Sequence, residues 1–326
     1  MQRVAIAGSA DAVHPSWQAP IDHLVHNVVT KALSSCGLEL SHIDAVVTVA
    51  SDTIDGVLVP LRGEIAGNLG RTYSHVTSSA GHGFGAAVSM IEAGYSERTL
   101  LVGWGAVQRF GPSDPRVIQA DPFHARPVGA LPNAVAALQL QQLFDLDRLD
   151  PAALTQHADL MTRLAWPALE VSVETAKPNF CDGAVAIVLE RQAEQRNVAV
   201  KDFSSVSRAY SPDDEVLDPG DWVLEALSAA APGARSTPYG VEVAGPTIFG
   251  ELRALDVLAR DASVLRNSSG GGALAWFGPA TGLRQLAVAA RALAGQPAGS
   301  MSIAADLSGP LSQHVTLAIL ERGGEA

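Results

Sequence analysis

Cysteine is nearly absent from this chain: Cys36 and Cys181 are the only two in 326 residues. Two thiols so far apart do not make a disulfide framework, and they point to a reduced, cytosolic setting. Positive charge is scarce too. Lys and Arg number 22 against 34 Asp and Glu, for a net charge of −12. No dense basic run interrupts that balance, which excludes a phosphate-backbone binder and hence nucleic acid. An acidic surface is also repelled by anionic membranes. Long hydrophobic runs are missing. No window reaches ~18 uninterrupted apolar residues, so no membrane span is expected. The opening MQRVAIAGSADAVHPSW lacks the apolar stretch of a secretory signal. Metal-ligand clusters are missing as well. His23 and His26 stand beside Asp22 at helical spacing, but no further ligands accompany them, so they read as a helix face and no metal is expected.

Apolar residues make up 47% of the chain and charged residues 17%, the composition of a globular protein with ample core. The length fits one large α/β unit or two fused halves. The run VAIAG (4–8) reads as a buried strand. In 21–36, Leu24, Val28, Ala32 and Leu33 share one helical face, and Gly37 stops the helix. IDAVVTVAS (43–51) is a near-continuous apolar strand. A helix around 61–69, a strand at 73–77, the helix GAAVSMIEAGY and the strand TLLVGWG (99–105) follow. Residues 106–180 break the rhythm with many prolines and two helical stretches, at 133–145 and 151–166. AVAIVLER (184–191) resumes the sheet. Strands at 202–210, 239–244 and 263–267 then alternate with helices at 219–230, 247–261 and 281–295, and MSIAADL and HVTLAILER close the chain. Alternation of this kind implies a mostly parallel sheet covered on both faces. It divides the chain into halves of similar order, 1–195 and 196–326. The first carries the excursion at about 106–180.

Four segments carry a resemblance. NSSGGGALAWFGPATGLRQL, starting at Asn267, resembles the thiolase-superfamily loop N-x-S-G-G, then G-H-P, then G-A-T-G; Asn267, Ser269, Gly270, Gly271, Thr281 and Gly282 match. CDGAVAIVLER (181–191) is similar to the family strand D-G-A-A-A-x-V-L. SSAGHGFGAAVSMIEAGYSERTLLVGWG (78–105) looks like the family's nucleophile-bearing segment, and ELRALDVL (251–258) adds a fourth match. The four run in family order over nearly the whole chain. The resemblance implies an α/β thiolase-like fold: two similar βαβαβαββ halves forming a five-layered αβαβα architecture. The 106–180 excursion stands where the family has a longer loop domain that helps to hold coenzyme A.

Thiolase chemistry needs a thiolate, a base for the α-proton and an oxyanion hole. By the resemblance, the nucleophile position falls at Thr77, Ser78 or Ser79, where no cysteine stands. The G-H-P histidine falls on Phe277, beside Trp276. The residue that holds an oxyanion-hole water falls near Ala244. The late cysteine falls in DLSGPLSQ (306–313), again without a thiol. Ser78, Ser79 and His82 offer a substitute nucleophile and base, or an ordinary helix cap. Cys181 matches a structural turn, and Cys36 reads as a buried helix-end residue. His314 and Asp306 approach the site from the C-terminal side. Asn267, Gly271, Trp276, Phe277, Thr77, Ala244 and Asp306 are expected around the pocket, with Trp276 and Phe277 filling it and Glu251 on a helix surface.

Two functions follow from the resemblance. The first is a thiolase-like subunit with a degenerate site. It handles acyl-CoA or an acyl carrier protein for a partner, as a homodimer or a heteromer with a thiolase-like or ketosynthase-like subunit and an OB-fold (DUF35-type) scaffold. The second is a cysteine-independent enzyme, an acyltransferase or a CoA-ester retro-aldolase, with its base from His82, His314, Asp306 or Tyr239. It requires an open pocket. Neither needs a bound cofactor; coenzyme A enters as a thioester substrate.

Overall fold

The computed structural model describes residues 4–15, 17–51, 73–77, 79–108, 114–119, 123, 127–165, 179–191, 198–208, 218–230, 237–261, 263–309 and 312–323. The expected helix at 61–69 and Ser78 lie outside them. The first half runs β1 (Val4–His14), α1 (Ile21–Ser35), β2 (Ala45–Val49), β3 (Tyr73–Thr77), α2 (Ala80–Glu92), β4 (Arg98–Ala106), α3 (Pro132–Asp145), α4 (Pro151–Ala165) and β5 (Asp182–Arg191). The second runs β6 (Val198–Ser207), α5 (Pro219–Ala230), β7 (Gly240–Ala244), α6 (Ile248–Leu258), β8 (Leu265–Arg266), α7 (Thr281–Ala294), β9 (Met301–Ser308) and β10 (His314–Arg322).

The strands order as β3-β2-β4-β5-β1-β6-β10-β9-β7-β8. Read outward from the middle, each half repeats the other. The first strand of a half pairs antiparallel with its last, and its three remaining strands are parallel to one another. The halves meet edge to edge where β1 pairs antiparallel with β6; among the described residues Ala5 pairs with Ala199 and Ile6 with Val198.

Burial assigns the layers. On α1, Leu24, Val25, Val28, Val29, Ala32 and Leu33 are buried and pack on one face of β2, β4 and β5. Gly37, at φ 69°, ends the helix: its N–H donates to Ser34 O, and Leu38 N–H donates to Leu33 O at 3.0 Å. The opposite face of that sheet meets α2 and α7, whose apolar faces also meet Ala304, Ala318 and Leu320 of the second half. Helices α5 and α6 cover the outer face of β7, β9 and β10. The order is helix, sheet, paired central helices, sheet, helix, a five-layered α/β fold.

The excursion belongs to the first half by sequence and packs on the second. Leu143, Leu154 and Met161 form one cluster with Ile248, Phe249 and Leu252 of α6. A buried carboxylate fastens the same contact. Asp218 accepts from Arg253 Nη2 at 2.8 Å and from Arg148 Nη1, beyond α3, at 3.2 Å.

Several expected boundaries moved. β1 runs past Gly8 to His14, paired with β5 along its length. β6 begins at Val198, because an apolar start follows directly on the polar 192–197 stretch. β8 is two residues long, because Asn267 turns the chain away at φ 43°.

Candidate active site

The site lies at the C-terminal ends of the parallel strands β7 and β9, the usual place for a ligand in such sheets. Strand alternation decides what faces it. On β9, Ile303, Ala305 and Leu307 belong to the outer cluster, so Ala304 and Asp306 point at the central helices. On β10, Val315 and Leu317 face outward, which turns His314, Thr316 and Ala318 inward. Thr316 pairs with Asp306, and His314 with Ser308. His314 and Asp306 are therefore diagonal neighbours on one face, within reach of a common ligand.

Beside them opens a cavity of about 320 Å³, at the lower end of the range for small-molecule sites. The start of α2 contributes Ser79 and Ala80, and the β7–α6 turn contributes Ala244, Gly245 and Pro246. Trp276, Pro279 and Thr281 come from the glycine-rich loop and α7. Arg116 and Pro132 come from the excursion, and Asp306, Leu307, Ser308 and His314 from the ends of β9 and β10. Three helix N-termini converge here, an arrangement that favours negative charge.

Burial pushes the Asp306 carboxyl up to about 7, against the pull of the Gly81 N–H. Near neutral pH it both gives and takes a proton, as a general acid–base group must. Burial first, and then the neighbouring His82, holds His314 below its usual value, which favours the neutral imidazole.

Five of the expected site residues meet at the cavity: Ser79, Ala244, Trp276, Asp306 and His314. Ser79 is the N-cap of α2, its Oγ accepting from His82 N–H at 3.3 Å. His82 is exposed and outside the cavity lining. The backbone of Thr77 ends β3, paired with Val49. Asn267 is wholly buried, and its Oδ1 accepts from Val243 N–H at 2.6 Å, tying the loop to β7. Tyr239 sits at the far end of β7 from Ala244, roughly 16 Å away at strand rise. His23 and His26 are exposed on α1, and no group of three metal-ligating side chains occurs among the described residues.

Phe277 requires a correction. It does not fill the pocket; it is 0% exposed in the central core, with its ring against Gly183. Thr281 Oγ1 accepts from the Phe277 N–H at 3.0 Å and turns the residue inward. Trp276 forms a wall and leaves the cavity open. Cys181 is buried outright, and burial pushes its thiol far up, which rules out a resting thiolate. Cys36 is half-buried, hydrogen-bonded to Leu33 O at the end of α1.

Glu251 requires another. It is 1% exposed, not on a surface. Its Oε1 accepts from the N–H groups of Gly245, Gly272 and Ala273 at 2.7–2.9 Å. Burial still pushes the carboxyl up to about 8. Gly271, at φ 76°, leaves the space that Glu251 Oε2 occupies, since a Cβ there would lie 2.4 Å from it. The loop's glycines thus wrap a buried carboxyl group that braces the cavity wall from behind.

Sequence reasoning missed Arg116. It is 6% exposed, paired with Asp114 at 2.8 Å, and donates to Pro246 O at 3.1 Å and to Asn133. No periodicity marks it, because it sits in a short 3₁₀ turn of the irregular excursion.

No family model matches the chain, and no curated protein does. Solved structures do. One described as an Ltp2–ChsH2 (DUF35) aldolase superimposes with a TM-score of 0.72 at 16% identity, covering 98% of both chains. The Acat5 thiolase of Ascaris suum, solved with coenzyme A, gives 0.71 at 15% identity, over 98% of this chain and all of that one. An acetyl-CoA acetyltransferase from Syntrophomonas wolfei gives 0.64 at 16% identity, over 98% and 99%. The chain has a thiolase-like fold. No helix among the described residues is long and apolar enough to cross a membrane.

Proposed function

We propose that the chain breaks, or in reverse forms, the Cα–Cβ bond of a β-hydroxyacyl thioester without an acyl-enzyme intermediate. The open cavity with Asp306 and His314 at one wall carries this reading, because retro-aldol cleavage needs a base and a proton donor but no nucleophile. Ionised Asp306 takes the proton of the β-hydroxyl. The Cα–Cβ bond breaks, Cβ becomes the carbonyl of a released aldehyde or ketone, and the electron pair passes to Cα as the thioester enolate. The proton now on Asp306 returns to Cα, giving the shortened acyl thioester and restoring the carboxylate. His314, neutral, donates its N–H to the developing oxyanion.

The aldolase with a similar fold is described together with a DUF35 protein. That supports an OB-fold partner here, alongside a homodimer or a thiolase-like second subunit. An inert scaffold needs a blocked pocket, and the burial of Phe277 argues against one.

The test uses the purified protein, alone and with a candidate OB-fold partner, on acyl-CoAs and β-hydroxyacyl-CoAs. Intact mass, free CoA and released carbonyl are followed. Cleavage without an adduct, lost in Asp306→Asn, is expected. A stable acyl adduct would overturn the reading in favour of a transferase. Activity only on addition of a cysteine-bearing thiolase-like subunit would make this chain an accessory subunit.

A further inference from the structure

Asp306 borders two cavities. One is the site. The other is a void of about 20 Å³ between the second-half strands and the central helices, with Gly81, Gly282, Leu283, Asp306 and Thr316 in its lining. That is room for one water. The register sets the polar groups around it. Asp306, Thr316 and Ser205 occupy one rung across β9, β10 and β6. The rung behind it, Ala304, Ala318 and Phe203, is apolar and packs in or against the central core. Directly opposed Cβ atoms stand about 5 Å apart, so the Asp306 carboxyl and the Thr316 hydroxyl lie within reach of one bridging water. Thr316 Oγ1 is 3.5 Å from Ser205 Oγ, and Ser205 is exposed. The helices press on this rung only through glycine. A Cβ on Gly81 would lie 2.0 Å from Thr316 Oγ1, and one on Gly282 2.3 Å from Asp306 Oδ1. The polar line therefore runs sideways, from the site to the flank of β6.

We infer that Asp306, Thr316 and Ser205 form a proton path from the reacting carboxyl to solvent, open while a thioester occupies the site. The role of Asp306 in it rests on the aldol reading; the rung and the void do not. The proton of Asp306 passes to the bridging water, a proton of that water to Thr316 Oγ1, and the Thr316 hydroxyl proton to Ser205 Oγ and bulk water. A proton returns by the same steps reversed. A carboxyl covered by its substrate in the wrong protonation state is thereby reset without releasing that substrate. Cleavage itself does not draw on the path, because the proton taken from the β-hydroxyl is the one handed to the α-carbon. Exchange of α-hydrogens does. By reversal of the last step, ionised Asp306 takes a proton from the α-carbon of a bound acyl thioester, leaving the enolate. Unless that proton leaves through the rung, the same one goes back.

The test follows deuterium uptake at the α-carbon of acetyl-CoA and propanoyl-CoA in heavy water by mass spectrometry, beside cleavage of β-hydroxyacyl-CoAs by the same preparation. Wild type is expected to exchange α-hydrogens. Thr316→Val, which keeps the shape and removes the hydroxyl, is expected to lower exchange at least about tenfold while cleavage stays close to wild type. Thr316→Ser restores the hydroxyl and is expected to restore exchange. Ser205→Ala, at the exposed end where water takes over, is expected to give a smaller loss. Unchanged exchange in both Thr316→Val and Ser205→Ala overturns the inference and leaves the aldol reading standing. An equal fall of exchange and cleavage in Thr316→Val also overturns it, since a purely structural role lowers both together. No exchange by wild type overturns it as well, and the cleavage assay then judges the aldol reading separately. Exchange that depends on Thr316, with no cleavage of any β-hydroxyacyl-CoA, supports the path and sinks the aldol reading.

Discussion

Gly103, Gly105 and Gly183 stand in the first half of the sheet where Asp306, Ser308 and His314 stand in the second. The register sets the equivalence. Thr99 pairs with the first residue of β2 and Ser302 with the first of β7, so Gly103 matches Asp306 and Gly105 matches Ser308. Gly105 pairs with Gly183 as Ser308 pairs with His314. In the first half the strands give up their side chains. A Cβ on Gly105 would lie 1.8 Å from Phe277 O, and one on Gly183 2.6 Å from the Phe277 ring. The glycine-rich loop lies directly on those strands and closes that end. In the second half the helices give up theirs. A Cβ on Gly282 would lie 2.3 Å from Asp306 Oδ1, and one on Gly81 2.0 Å from Thr316 Oγ1. The strands keep their polar groups, and the cavity remains. A duplicated scaffold has thus been closed at one end and left chemically equipped at the other by exchanging which partner carries the glycine.

The sharpest break of this comparison is Asp306→Asn. It is expected to lower the cleavage rate by roughly 100-fold or more, the usual worth of a general base, with an unchanged circular dichroism spectrum. Next is Gly105→Ala, which drives a Cβ into backbone. A loss of about 3 kcal/mol is expected in urea unfolding, and a loss near zero would dissolve the close-packed account of the first half. A smaller effect is the pH response. The wild-type rate is expected to rise about tenfold from pH 6 to 8, through the Asp306 value near 7. Stability runs the other way. The unfolded carboxyl ionises near 4 and the folded one near 7, so the folded state holds the extra proton between them and loses stability as pH rises across that window. Asp306→Asn should remove that loss, giving a melting temperature a few °C higher at pH 8 and little changed at pH 4. The smallest effect is Ser308→Ala at the counterpart of Gly105, expected to cost under ~1 kcal/mol because the side chain borders open space.

The fold was legible because its signals are local. The apolar run of β5 is buried from Asp182 to Leu189, and the stripe on α1 has all four expected residues in the core. Asp306 and His314 were legible as candidates because they flank the last two strands. What was not legible depends on contacts far apart in sequence. Glu251 in the first turn of a helix reads as a favourable solvent-facing charge; three N–H groups from two other segments make it a buried brace. Phe277 sits beside Trp276 in sequence, yet glycines some 94 and 172 positions earlier, at Gly183 and Gly105, draw it inward. The one available signal was the glycine run itself, whose bare backbone N–H groups suit a carboxylate.

The helical layer between the two halves has a consequence for how this molecule can change. Each of α2 and α7 is rooted in one half and packed against strands of both, so this pair binds the halves together. The halves cannot slide past one another without prising that layer apart. The floor of the chamber is consequently as fixed as the protein's core. Variation in what it accepts is left to the roof, the excursion that brings Arg116 and Pro132, and related chains can diversify there while the hearth beneath stays the same.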